Sequence, residues 1–291
     1  MSLTSKILSI IIVTFNSDRD IFDCIDSILK QNTLGDALEI IVVDNHSTSF
    51  EQTSEKLYTK YPGIVIIENK NNGGYGQGNN IGIAIAKAPL IAIVNPDVRW
   101  NKPIVNEAIK EFDNANTVLL GCRQMENENR AASAIHYKQD ASGFEKSIGE
   151  MIANRLGIYC ANRMYLSGAC FFCRKKVMEE IGGFDENIFL YAEENDIRYR
   201  ILALNKGYCI RYRHDLQYIH PCHNRLLSMQ TEKQRIEADL YVLNKQGVPA
   251  AKYYNTERAK CRWNIFLHIL TINKEGIARQ KKLLSLYETK S

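Results

Sequence analysis

Three short apolar runs, each ending in polar side chains, constrain this chain more than any other feature. Leu90-Ile91-Ala92-Ile93-Val94 runs into Asn95-Pro96-Asp97, Ile10-Ile11-Ile12-Val13 into Thr14-Phe15-Asn16, and Ile40-Ile41-Val42-Val43 into Asp44. Runs this short and this apolar read as strands buried on both faces, which requires a sheet with helices on either side. Pro96 cannot donate a ladder hydrogen bond, so the strand from Leu90 stops there and Asp97 sits just past its carboxyl end. Ligands of open α/β sheets bind at that edge. A carboxylate there is suited either to hold a divalent metal, and through it a diphosphate, or simply to cap the turn.

Helical spacing fills the gaps between the runs. Asp20 is placed to cap a helix with Ile21, Ile25, Ile28 and Leu29 on one face, and a second helix runs through Leu57. A third strand, Ile64 to Glu68, follows Pro62-Gly63. Residues 71–80 carry glycines at 73, 74, 76 and 78, so the backbone there can approach something closely before a helix through Ile81 and Ile85. This alternation predicts an α/β fold with a doubly wound, mainly parallel sheet. Pro103 opens a further helix (Ile104, Ala108, Ile109, Phe112 inward), and Thr117 to Gly121 is a strand. Residues 123–165 are a polar excursion with one amphipathic helix, marked by Phe144, Ile148, Met151, Ile152 and Leu156, and read as a lid or acceptor region. Tyr165 to Cys173 reads as one strand. A helix through Val177 and Ile181, the turn Gly182 to Glu186, a helix from Glu193 to Gly207 and a strand from Tyr208 to Tyr212 complete the body.

The 291 residues carry a net charge of +4, and no apolar stretch approaches the roughly 18 residues that span a bilayer. Ile7 to Phe15 reads as a first strand rather than a signal peptide, which predicts a cytoplasmic protein. The eight cysteines are scattered and read as reduced thiols; Cys170 and Cys173 lie inside a strand pattern, which argues against a metal or redox pair. The expected division is a catalytic domain over 1–225 and a helical extension over 226–291. Residues 252–291 hold nine Lys or Arg against three acids, with Trp263, Phe266 and Leu270 among their apolar companions. Such a segment either packs on the body or a second copy, as in a homodimer, or lies on the inner face of an anionic membrane. Nucleic acid is a poor partner, because the charge is confined and no recognition motif accompanies it.

Six markers then stand in order: Ile12-Val13-Thr14-Phe15-Asn16, Val42 to Ser47, Asn72 to Asn80, Asn95-Pro96-Asp97, Gly182 to Glu186, and Tyr191-Ala192-Glu193-Glu194-Asn195-Asp196. Over about residues 7–225 the chain resembles the family 2 glycosyltransferases, of the GT-A fold, and its Asn-Pro-Asp looks most like bacterial rhamnosyltransferase-type members. The resemblance implies that Thr14, Phe15 and Asn16 border a nucleotide pocket that Asn72, Gly74 and Asn80 also line. Asp44 would accept N3–H of a uracil or thymine ring, as an acceptor-only side chain can. Asp97 matches the last carboxylate of the family's Asp-x-Asp motif and would hold Mg²⁺ or Mn²⁺ with the donor diphosphate. Asn95 replaces the first Asp and would reach a ribose hydroxyl or a metal-bound water; His220 would join the metal, with His223 competing. Glu193 and Glu194 match the acidic pair whose second member is the catalytic base, and Asp196 would face the acceptor.

The implied activity is inverting, metal-dependent transfer of a sugar from a UDP- or dTDP-sugar, dTDP-rhamnose among them, to a cell-surface glycan or lipid-linked acceptor. The alternative is a nucleotide-sugar or carbohydrate-binding protein of the same fold without catalysis, supported by Asn95 and by Glu at 194. A dinucleotide site is unsupported, since the glycines follow the third strand and do not match Gly-x-Gly-x-x-Gly. A nucleotidyltransferase would want a glycine-rich loop after the first strand, and Thr14 to Asp20 has no glycine.

Overall fold

The computed structural model describes residues 5–221 and 228–288. Strands β1 (Leu8–Thr14), β2 (Leu38–Asp44), β3 (Val65–Glu68) and β4 (Leu90–Val94) pair in parallel in the order β3-β2-β1-β4. Beyond them lie β5 (Thr117–Met125), β6 (Ile135–Tyr137), β7 (Met164–Leu166), β8 (Cys170–Arg174) and β9 (Cys209–Ile219). The main sheet continues β4-β8-β5-β9, with β8 antiparallel to both neighbours, while β6 and β7 form a separate two-stranded ribbon.

Helices α1 (Asp20–Lys30), α2 (Phe50–Lys60), α3 (Gly74–Ile85), α4 (Val105–Glu111), α5 (Glu150–Leu156), α6 (Lys175–Glu180) and α7 (Glu193–Ala203) cover the two faces. Alternation along β1 explains the layering: Ile10 and Ile12 pack with Ile21, Ile25, Leu57 and Trp100, whereas Ile11 packs with Ile83, Ile93 and Ile197 on the other side. The same alternation sends Cys170 and Cys173 of β8 into opposite layers, so the pair cannot chelate one ion. Burial raises both thiols, that of Cys170 to about 12.

Three local expectations change. Residues 165–173 are not one strand: Ser167 Oγ accepts the Ala169 N–H at 3.3 Å, and the resulting turn carries the chain from the ribbon into the main sheet. The last strand runs on to Ile219, and its exposed Arg211 and Asp215 suit its place at the sheet's edge. Asp20 is the first residue of α1 rather than its cap, and accepts from Arg99 at 3.2 Å.

The helices α8 (Met229–Lys245), α9 (Ala250–Leu270) and α10 (Lys274–Glu288) close around their own core of Ile236, Leu243, Tyr253 and Tyr287. Polar ties hold them to the body: Lys146 to Glu257, Gln139 to Asp239 at 2.8 Å, and Lys245 to Asp185 at 2.6 Å. Among the described residues no helix is long and apolar enough to cross a membrane.

Candidate active site

The carboxyl ends of β1, β2 and β4 carry the first group of candidates. Thr14 and Asp44 are paired in register and both buried. Asp44 accepts from the Ser47 backbone N–H and the Ser47 hydroxyl, each at 2.7 Å, and Ser47 Oγ accepts from Asn16 N–H at 2.8 Å. Asn16 holds a left-handed φ of 51° and its Oδ1 accepts from Thr48 N–H at 3.1 Å. The loops after β1 and β2 are therefore fixed to each other through Ser47. Each Asp44 oxygen keeps a lone pair for a further donor. Phe15 stands exposed beside them.

Gly74 opens α3 at φ 85°, a conformation that glycine adopts without strain. Its N–H donates to Asn72 Oδ1 at 3.1 Å and its carbonyl accepts from Asn45 at 2.8 Å, so Asn72 and Gly74 lie at the same sheet edge as Asp44. The close approach that the glycines permit is made to the protein itself at Gly78, where a Cβ would meet Val13 Cγ1 of β1 at 2.6 Å. Asn80 points elsewhere. Its amide donates to Phe184 O at 3.0 Å and Glu186 Oε1 at 2.9 Å, and accepts from Phe184 N–H at 2.8 Å, tying α3 to the 182–186 turn.

Asp97 and His220 meet although 123 positions separate them. Arg99 and Ile219 exchange backbone hydrogen bonds of 2.8 Å each way, which joins the loop after β4 to the end of β9. His220 Nε2 then lies 3.1 Å from Asp97 Oδ1, and His220 Nδ1 is buried with no hydrogen-bond partner among the described residues. A carboxylate and an imidazole suit Mn²⁺ or Mg²⁺, the imidazole favouring Mn²⁺. Among the described residues no group of three or more such ligands exists, so the pair fits an ion only if other oxygens complete the shell. His223 lies outside the described residues.

The acidic pair opens α7 immediately after Tyr191 (φ 75°) and Ala192 (φ 68°), two left-handed residues that aim the helix start. Glu193 is 3% exposed, and its Oε1 has no partner among the described residues. Glu194 is half-buried and accepts the Gly168 N–H at 3.0 Å. Burial raises the pKa of both; the Glu194 charge adds to the rise at Glu193, while His136 and the Gly168 N–H draw Glu194 back. Gly168 belongs to the turn between β7 and β8, where Ala169 O accepts from Asn95 N–H at 2.8 Å. One tripeptide thus grips Asn95 at the end of β4 and Glu194 at the start of α7. A Cβ at 168 would lie 2.1 Å from Glu194 Oε1, so only glycine leaves that carboxylate in place.

Glu194 also lines a cleft of about 330 Å³ walled by His136 and Tyr165 of the ribbon and by Arg235, Asp239 and Lys260 of the C-terminal helices. His136 Nδ1 lies 2.9 Å from Glu150; burial pulls the imidazole pKa down, but the charge and hydrogen bond of Glu150, with the Glu194 charge, together raise it. Asp196 does not face this cleft, contrary to expectation. It is fully buried, accepting from Lys245 at 2.5 Å and Arg200 Nε at 2.8 Å. Two positions along a helix turn a side chain by about 200°, so Glu194 and Asp196 cannot share a face. Gly168, Ser47 and His136 are the neighbours that sequence reasoning passed over as site residues; only the Asn45-His46-Ser47 motif touched one of them.

A parallel half-sheet with polar strand ends, a reversed strand beside it and an acidic helix start bonded to the turn that leads into that strand define a GT-A fold. The mannosyltransferase PcManGT of Pyrobaculum calidifontis, solved with GDP-Man and Mn²⁺, superposes with a TM-score of 0.63 over 98% of this chain and 75% of its own, at 14% identity. Residues 1–349 of S. aureus TarS, solved with UDP, give 0.56 over 88% and 70%, at 17% identity. The chain belongs to glycosyl transferase family 2, which residues 9–182 match. The low-salt glycan biosynthesis hexosyltransferase Agl10 of Haloferax volcanii is 28% identical over 210 residues, 69% of this chain and 64% of Agl10. The poly(ribitol-phosphate) beta-N-acetylglucosaminyltransferase TarS of Staphylococcus aureus is 27% identical over 134 residues, 46% and 23% of the two lengths. The match thus spans less than two thirds of either relative.

Proposed function

We propose that the chain is an inverting, metal-dependent glycosyltransferase that moves a sugar from a nucleoside-diphospho-sugar to a glycan hydroxyl. The observation that carries the reading is the Ser167–Ala169 turn, which links Asn95 through Ala169 O and Glu194 through Gly168 N–H. Asp44 takes the imide N–H of a uracil or thymine base with the lone pairs that Ser47 leaves unused. Both rings present the same imide, so UDP- and dTDP-sugars, dTDP-rhamnose included, fall within the reading. Asp97 and His220 would hold Mn²⁺ or Mg²⁺ with the donor diphosphate; the ion offsets charge on the leaving group. The structural neighbours' GDP-Man, UDP and Mn²⁺ support this choice of ligands.

The acceptor enters from the cleft beside Glu194. Its hydroxyl oxygen bonds to the anomeric carbon from the face opposite the diphosphate, the carbon–oxygen bond to the diphosphate breaks, and Glu194 takes the hydroxyl proton. A glutamate raised by burial is a stronger base than a solvated one. Released nucleoside diphosphate, measured across a panel of nucleotide sugars with Mn²⁺, tests the reading. Glu194→Gln should lower the best rate by on the order of 10² to 10⁴; an undiminished rate would remove Glu194 as the base. Donor binding with no release from the wild-type chain would favour the binding-protein alternative.

A further inference from the structure

The amphipathic stretch after Phe144 and the helix α9 meet to form an exposed apolar face that the sugar chemistry does not use. The Phe144 and Trp263 rings lie 5.5 Å apart edge to face, and Trp263 and Phe266 lie 6.1 Å apart. Ser147 donates to Asn264 at 2.6 Å, and the backbone at Gly143 runs so close to Lys260 that a Cβ would meet its amide nitrogen at 2.5 Å. Two segments more than a hundred residues apart are thus locked side by side. What they present is apolar: Phe266 is 49% exposed, Leu270 one turn further 64%, and Met151 57%. Apolar patches of this kind mark interaction surfaces.

Charge selects the partner. Arg262 is exposed on α9 beside Phe266, and α10, which returns along α9 with Gly276 against His268, exposes Lys281 and Lys282. A symmetric dimer would set this basic face against itself. An anionic bilayer gains from both the exposed apolar side chains and the exposed cations of α9 and α10. We infer that the face built by Phe144, Trp263, Phe266 and Leu270 docks the protein on an anionic lipid surface. The cleft beside Glu194 opens nearby, because Lys260 in its wall is one turn before Trp263 on α9.

Flotation of the full chain with phosphatidylcholine vesicles, with and without phosphatidylglycerol, tests this without donor or acceptor, so its outcome is independent of the sugar-transfer reading. The chain should float with the phosphatidylglycerol vesicles at low salt. The double change Phe266→Asp with Leu270→Asp should weaken that binding by on the order of a hundredfold. Lys281→Gln with Lys282→Gln should weaken it by about thirtyfold and flatten its salt dependence. Both pairs are exposed, and the donor-binding midpoint shift in a thermal scan should stay that of the wild type. Absence of flotation, or variants that float like the wild type, would overturn the inference, as would a dimer in sedimentation velocity that Phe266→Asp with Leu270→Asp dissolves.

Discussion

At position 168 the backbone comes so near Glu194 that a methyl group would displace the carboxylate, which is the movable end of a side chain, rather than the strand. Gly168→Ala should therefore spare the fold and lower kcat by on the order of a hundredfold, since small misplacements of a reacting group have that effect. A thermal midpoint and donor affinity like the wild type's, with slow turnover, is the expected pattern; full turnover would show that the Gly168 contact does not position the base. If Glu194 is the base, as proposed, the acid limb of the pH profile belongs to the same carboxylate. Burial raises its pKa, so the base form and the rate appear above the ordinary glutamate range as pH rises. The positive charge of His136 opposes that rise. His136→Gln, which removes the charge, should move the acid limb of kcat/KM to higher pH, and an unmoved limb would assign it to another group. The acidic pair was legible in the sequence as a helix start, and α7 begins there. Gly168 was not, since its role depends on a carboxylate 26 positions away.

The strands that announce themselves are those buried on both faces. β1, β2 and β4 have apolar side chains in both layers, and their pattern needs no tertiary context. The run from Tyr165 to Cys173 reads as one strand only if Ser167-Gly168 is passed over; that dipeptide is a turn signal, and the residues on its two sides join different sheets. The glycines of α3 invite a ligand, yet at Gly78 the neighbour is β1, because nothing local distinguishes close packing from close binding. Asp97 and His220 each looked like a half-site; the Arg99–Ile219 bridge that unites them links elements distant in sequence. With one carboxylate and one imidazole at the meeting point, an ion held there as proposed would need oxygens brought by the donor to complete its shell. Calorimetric titration with Mn²⁺ should show weak binding to the chain alone and much tighter binding with a nucleoside diphosphate present. Asp97→Ala should abolish the nucleotide-dependent gain, whereas tight Mn²⁺ binding without nucleotide would contradict this account of the site.

The C-terminal helices were visible in the sequence as a basic appendage, but how they join the body was not. Lys146 lies in the polar excursion and Glu257 in α9, and neither spacing nor charge pattern pairs them. In the folded chain both are buried and bonded to each other, and Lys146 itself lines the cleft beside Glu194. Burial alone would raise the Glu257 pKa, but Lys146 and Lys260 hold it well below the usual carboxylate range. A depressed carboxylate contributes stability above its unfolded pKa and loses it only as pH falls through the lower folded value, so this joint should be indifferent to pH between 7 and 5. Lys146→Met removes the largest of these counter-charges and the one bonded to Glu257. Glu257 is then buried without its bonded partner, which costs about 3–5 kcal/mol at pH 7, and burial, opposed only by Lys260 and Arg235, lifts its folded pKa. As pH falls from 7 to 5 the carboxyl takes up a proton in the fold, and part of that loss returns. Denaturant unfolding at the two pH values should show the deficit of Lys146→Met shrinking on acidification, while the double change Lys146→Met with Glu257→Leu, which removes both charges, stays near the wild type at each pH. A single variant whose deficit is small and independent of pH would mean that water reaches Glu257, and that the helices are held to the body chiefly by their other contacts.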